Sequence, residues 1–120
     1  MPWYHFSQNN SGGSFTINKN VAEEVFIEAQ NVYTANNLGL IIGLYFDGVE
    51  QGIDCKCCGS RWYRTKEEIS IADMMEYIYK YLPEYSKTLR VHCLDGTVYT
   101  EKDYHHMPVP ATAAGRRLEV

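Results

Sequence analysis

The chain has no apolar run long enough to cross a bilayer; its longest, Leu38 to Phe46, is interrupted by Gly39 and Gly43. It has no basic surplus, and a formal net charge of −4 argues against a dedicated nucleic-acid binder. The N-terminus lacks the basic and apolar regions of a signal peptide. Cysteines are few. Of four, Cys55, Cys57 and Cys58 are crowded together and only Cys93 stands apart, which suits reduced thiols or a metal better than a disulfide scaffold. There is no G-x-S-x-G, H-E-x-x-H or G-x-G-x-x-G, and no paired-carboxylate arrangement. From these absences the expectation is a soluble, intracellular, non-enzymatic protein with no membrane partner.

What is present is enough for one core: 120 residues, 45% of them hydrophobic. Residues 1–106 read as one domain. The tail, 107–120, is linker-like, with Gly115 to Val120 resembling an expression scar.

Pro2 to Gln8 reads as a first strand, carried by Trp3, Tyr4, His5 and Phe6, and Asn9-Asn10-Ser11-Gly12-Gly13 as a turn, because Asn and Gly accept positive φ. Ser14 to Ile17 alternates and is expected to return as the second arm of a hairpin. In Glu24 to Ala29, Val25, Ile27 and Ala29 share one face and Glu24 and Glu28 the other, a half-buried strand. Asn31 can cap a helix over Val32 to Ile42, although Gly39 offers an earlier stop with Leu40 to Phe46 extended.

Ser70 caps a clearer helix. Ile71, Met74, Met75, Ile78 and Leu82 form one stripe, and Pro83 is expected to end it. Leu89 to Leu94 and Thr97 to Thr100 flank Asp95-Gly96, read as a two-residue hairpin loop. The order β-β-β-α-α-β-β predicts an α+β fold: a small antiparallel sheet of about five strands with both helices on one face.

Cys55 and Cys58 are spaced C-x-x-C and followed by Gly59, like one knuckle of a zinc site. Two further ligands would have to come from Cys57, Cys93, His92, His105 and His106, since no second C-x-x-C or H-x-x-H exists. No cofactor is expected, with zinc at Cys55 and Cys58 as the alternative. Arg61, Trp62 and Arg64 interleave charge and aromatic surface as in sites that hold phosphates and stack bases; the other reading, favoured by the acidic balance and by flanking Asp54, Glu67 and Glu68, is a solvated loop with Trp62 tucked into the core. Tyr77 and Tyr81, among ten tyrosines, flank the apolar stripe, where by default they extend the core and where they could instead rim a partner surface.

Tyr4-His5-Phe6-Ser7-Gln8-Asn9-Asn10-Ser11-Gly12-Gly13-Ser14-Phe15 resembles the opening of a family of small, uncharacterised tailed-bacteriophage proteins. Ile27-Glu28-Ala29, Tyr45 to Val49 and Gly52 to Trp62 match later motifs of the same family, so the resemblance spans residues 3 to 100. The Leu38–Leu44 region departs from it in being longer and more apolar. The resemblance implies a phage product in the bacterial host cytoplasm and brings no catalytic residue. The leading expectation is a non-enzymatic accessory protein that binds and modulates a host protein, such as an anti-phage defence factor. The alternative is a zinc-knuckle module for nucleic acid, or one that sequesters a nucleotide. A third is a virion or assembly component.

Overall fold

The computed structural model describes residues 2–107, and in 104–106 the backbone only. The expected tail lies outside the described residues from 108 onward. Met107, its first residue, is buried beside Met74 and Ile78, so the globular part reaches that far.

The fold is α+β, as expected, with a sheet of four strands in spatial order β1-β2-β3-β4. β1 is Trp3–Ser7, β2 Glu24–Glu28, β3 Leu89–His92 and β4 Val98–Thr100. The sheet is mixed rather than antiparallel: β2 pairs antiparallel with β1 but parallel with β3, Glu24 opposite Leu89 and Phe26 opposite Val91. β3 and β4 form the expected hairpin, but its loop has three residues, not two. Gly96 N–H donates to Cys93 O, Cys93 N–H donates to Thr97 O, and Gly96 sits at φ 93°. That is a turn followed by a left-handed bulge residue.

The expected second strand is missing. Residues 14–17 are irregular, and the Gln8 side chain stands in for a ladder. Its carboxamide accepts from Thr16 N–H at 2.6 Å and donates to Thr16 O at 3.0 Å. β1 takes β2 as its partner instead.

α1, Val32–Ile42, matches the longer of the two readings. Asn31 Oδ1 accepts from Thr34 N–H, and the helix closes on Gly43 at φ 119°, where Leu44 N–H reaches back to Gly39 O. α2, Ile71–Glu76, starts on the Ser70 cap and runs unbroken through a π-helical stretch, Tyr77–Tyr81, into α3, Leu82–Glu84. Pro83 therefore does not end the helix. It has no N–H to donate, and the turn before it is widened, with Leu82 N–H bonded to Tyr77 O. The chain leaves only at Ser86, in left-handed conformation, with Lys87 N–H on Leu82 O.

The helices lie on opposite faces of the sheet, which corrects the expectation of one shared face. Tyr4, Phe6, Val25 and Ile27 point to one side and pack with Ala35 of α1, Leu44, Phe46 and Trp62. Trp3, Phe26, Leu89 and Val91 point to the other and pack with Met74, Ile78 and Leu82. β2 is thus covered twice, and Glu24, expected in solvent, is 1% exposed. His5 Nε2 at 2.7 Å, Ser7 Oγ at 3.0 Å and Lys87 Nζ at 3.3 Å satisfy its carboxylate.

To pass from one face to the other, residues 43–70 round the outer edge of β1. Asn9 N–H bonds Arg61 O at one end of that edge, and Ile69 N–H bonds Trp3 O at the other. This crossing segment carries the cysteines. Among the described residues no helix is long and apolar enough to cross a membrane.

Candidate functional site

The cysteine loop begins where Asp54 is pinned. Asp54 N–H donates to Gly48 O, while its carboxylate accepts from Tyr45 Oη at 2.8 Å and from Arg61 N–H at 2.7 Å. Burial, and then that bond to Asp54, hold the Tyr45 phenol above its ordinary value, so it remains a donor. Between these anchors the loop turns back on itself, with Cys58 and Gly59 N–H both on Cys55 O. Gly59 sits at φ 84°, and a Cβ there would press on Tyr63 Oη and Asn9 Nδ2. Asn9 closes the frame, donating to Cys58 O at 2.6 Å and Ser60 O at 3.1 Å.

The three sulfurs of Cys55, Cys57 and Cys58 lie within 4.8 Å of one another and form the one such metal-capable group among the described residues. All three residues are exposed. Cys55 and Cys57 Sγ are 2.7 Å apart, Cys57 and Cys58 Sγ 3.7 Å. The Cys57 thiol, and then the backbone N–H groups of Cys57 and Cys58, lower the Cys55 pKa. The same contact pushes Cys57 up to about 11.

The other zinc-ligand candidates separate from the loop. Cys93 follows β3 at the end of the sheet where Leu94 N–H meets Glu28, opposite the end where Asn9 holds the cysteines. Burial, then Asp95 and Glu28, push its thiol up to about 11. His92 Nε2 is bonded to Asn20 O at 2.7 Å. The side chains of His105 and His106 lie outside what is described.

The basic–aromatic patch divides in the same way. Arg61 turns inward as a structural hub. Nη1 donates to Gln8 Oε1 at 2.8 Å and Ser14 O at 2.7 Å, Nη2 to Ser11 O at 2.7 Å, and Nε to Tyr45 Oη at 3.2 Å. The Asn–Gly-rich turn thus presents its carbonyls to a guanidinium. Trp62 is 1% exposed, within the core on the α1 side. Arg64 alone stays at the surface, paired with Asp47 at 2.8 Å and lying 5.1 Å from the Phe46 ring centroid.

Tyr77 and Tyr81 lie on the opposite face of the sheet from Trp62. Tyr77 is drawn inward, its ring edge-on to His5 and Phe26. Tyr81 is partly exposed and donates to Glu76 Oε1 at 2.8 Å. A cleft of ≈ 390 Å³ beside α3 is lined by Ile78, Leu82, Pro83 and Leu89 together with Ser86, Lys87, Thr88 and Glu101, and is not part of the metal-capable group at the cysteine loop.

One surface was missed at the level of sequence. Tyr33, Leu40 and Ile41, at i, i+7 and i+8 of α1, stand 78%, 50% and 78% exposed. The helix carries no charged residue at all, and that signal was readable.

The family model described as "Domain of unknown function (DUF7296)" matches residues 1–107, and the chain belongs to that family. No curated protein and no solved structure matches it.

Proposed function

We propose that this member of the family is a bacteriophage accessory protein that acts without catalysis, by binding and modulating a protein of the bacterial host, such as a defence factor. The single observation that carries the reading is the outer face of α1. An uncharged helix that presents Tyr33, Leu40 and Ile41 to solvent resembles the apolar centre of a protein interface. The phage setting rests on the resemblance of Tyr4–Phe15 and Gly52–Trp62. The nucleotide-holding alternative is weakened, because Arg61 and Trp62 are already committed inside the fold.

The test compares wild type with Tyr33→Ser/Ile41→Ser as bait in host lysate, alongside size-exclusion chromatography with light scattering. The reading expects a defined host protein retained by wild type and lost by the variant, with both baits monomeric. Equal recovery from the two baits overturns the assignment of the face. A wild-type dimer that the variant dissolves assigns the face to a second copy of the chain.

A further inference from the structure

We propose that Cys55, Cys57 and Cys58 form a three-thiolate site for a thiophilic d10 cation, zinc(II) or copper(I), with one coordination position turned to solvent. The inference is independent of the α1 surface.

The sequence suggests a different site, in which the C-x-x-C pair Cys55 and Cys58 recruits distant ligands. The geometry replaces it with a local one. Cys57, the middle residue, brings its sulfur to 2.7 Å from Cys55 and 3.7 Å from Cys58. His92 and Cys93 are removed to the far end of the sheet. Metal–sulfur bonds of about 2.3 Å set two thiolates on one ion roughly 3.7–4 Å apart. The Cys57–Cys58 pair already stands at that separation, and the exposed Cys55 Sγ has only to swing back by about 1 Å.

The loop frame is a second, independent observation. Asp54, Asn9 and the left-handed Gly59 fix the backbone on both sides of the cysteines without using any thiol. The cysteine side chains are therefore not needed for packing, and all three are exposed. Three soft donors in a fixed frame select soft or borderline metals over magnesium or calcium. An open fourth position is the arrangement of zinc sites that accept an outside ligand, whereas three sulfurs alone complete a trigonal copper(I) site.

The experiment uses the full chain, reduced and freed of metal. Cobalt(II) is titrated first, for its thiolate charge-transfer absorption. Zinc(II) and copper(I) are then titrated against competing chelators, which separates the two cations. The expected result is one ion per chain. Cys55→Ser, Cys57→Ser and Cys58→Ser should each weaken binding by more than the roughly 10–100-fold loss typical of an outer-shell partner. Cys93→Ser should bind as wild type does. Far-UV circular dichroism of the serine variants should be unchanged, because the thiols are exposed. Cys57→Ser binding equal to wild type, or no retention of either cation at micromolar protein, overturns the proposal.

Discussion

Arg61 Nη1 donates to Gln8 Oε1 at 2.8 Å across 53 positions of sequence, and so joins the Tyr4–Phe15 segment to the cysteine loop. The same guanidinium reaches Ser11 O and Ser14 O, so four of its bonds hold a turn, a strand end and a tyrosine together. Arg61→Lys keeps the charge but loses the planar fork, and leaves at least one of those acceptors without a donor. The expected loss is about 2 kcal/mol, read as a lower urea midpoint with an unchanged slope.

Gly48 should not tolerate a methyl group. Its φ is not in the left-handed region; Asp47 beside it has φ 59°. It is glycine for space, because a Cβ there would run into the Asp54 carboxylate and the Tyr45 ring. Gly48→Ala is expected to cost about 1–3 kcal/mol by pushing Asp54 off Arg61 and Tyr45. Thermal unfolding measures it, and a wild-type melting temperature would refute it.

Both tryptophans are inside, Trp3 at 5% and Trp62 at 1% exposure. Intrinsic fluorescence should be blue-shifted and poorly quenched by acrylamide until the protein unfolds. Trp62→Ala should destabilise by about 3–5 kcal/mol, the range for truncating a large core aromatic. A Trp62→Ala protein as stable as wild type would contradict the core placement of Trp62.

Alkylation should divide the thiols three to one. Cys55, Cys57 and Cys58 are exposed, whereas Cys93 is half-buried, and access rather than thiol acidity makes the division, since Cys57 and Cys93 are both pushed up to about 11. Mass spectrometry after iodoacetamide at pH 8 should find three labels on the folded chain and a fourth only in denaturant. Early labelling of Cys93 would contradict its placement.

His92 should make the fold sensitive to mild acid. Burial lowers its pKa below the usual 6.5, with the Arg90 charge acting in the same direction and the Asn20 carbonyl against it. Because the unfolded chain binds the proton more readily, stability from this group is complete above about pH 6.5 and falls as pH drops toward the folded value. His92→Gln should lose less stability than wild type between pH 7.5 and 5.5, measured by urea midpoints. Parallel losses would show that other groups carry the dependence.

Local signals were legible where the physics is local. The Asn31 and Ser70 caps, the α2 stripe and the β3–β4 turn follow from neighbours within a few residues. The half-buried pattern of β2 misled, because alternation assumes one wet face, and Val25 and Phe26 each meet a helix-covered layer. The missing strand at Ser14–Ile17 has β-like residues, but a side-chain amide is a competent partner for one peptide group, and no periodicity reveals that. In the cysteine loop the residue types were visible, and their assignment was not. Trp62 could be read either as a binding aromatic or as a core residue, and distant acceptors and the α1-side core decide the places of Arg61 and Trp62.

The parallel pairing of β2 with β3 also bears on how fast the chain folds. Across that pair Thr88 N–H finds the Glu23 carboxylate 65 positions away, and both helices and the cysteine segment lie between. The entropy of closing so long a loop is lost before the central ladder returns any of it. The β3–β4 hairpin and the capped helices can assemble early, while the central pair must wait until the intervening chain has rounded β1. Such non-local closure places folding toward the millisecond-to-second range rather than microseconds. During synthesis β2 has no partner on its β3 side until residues near 90 have left the ribosome.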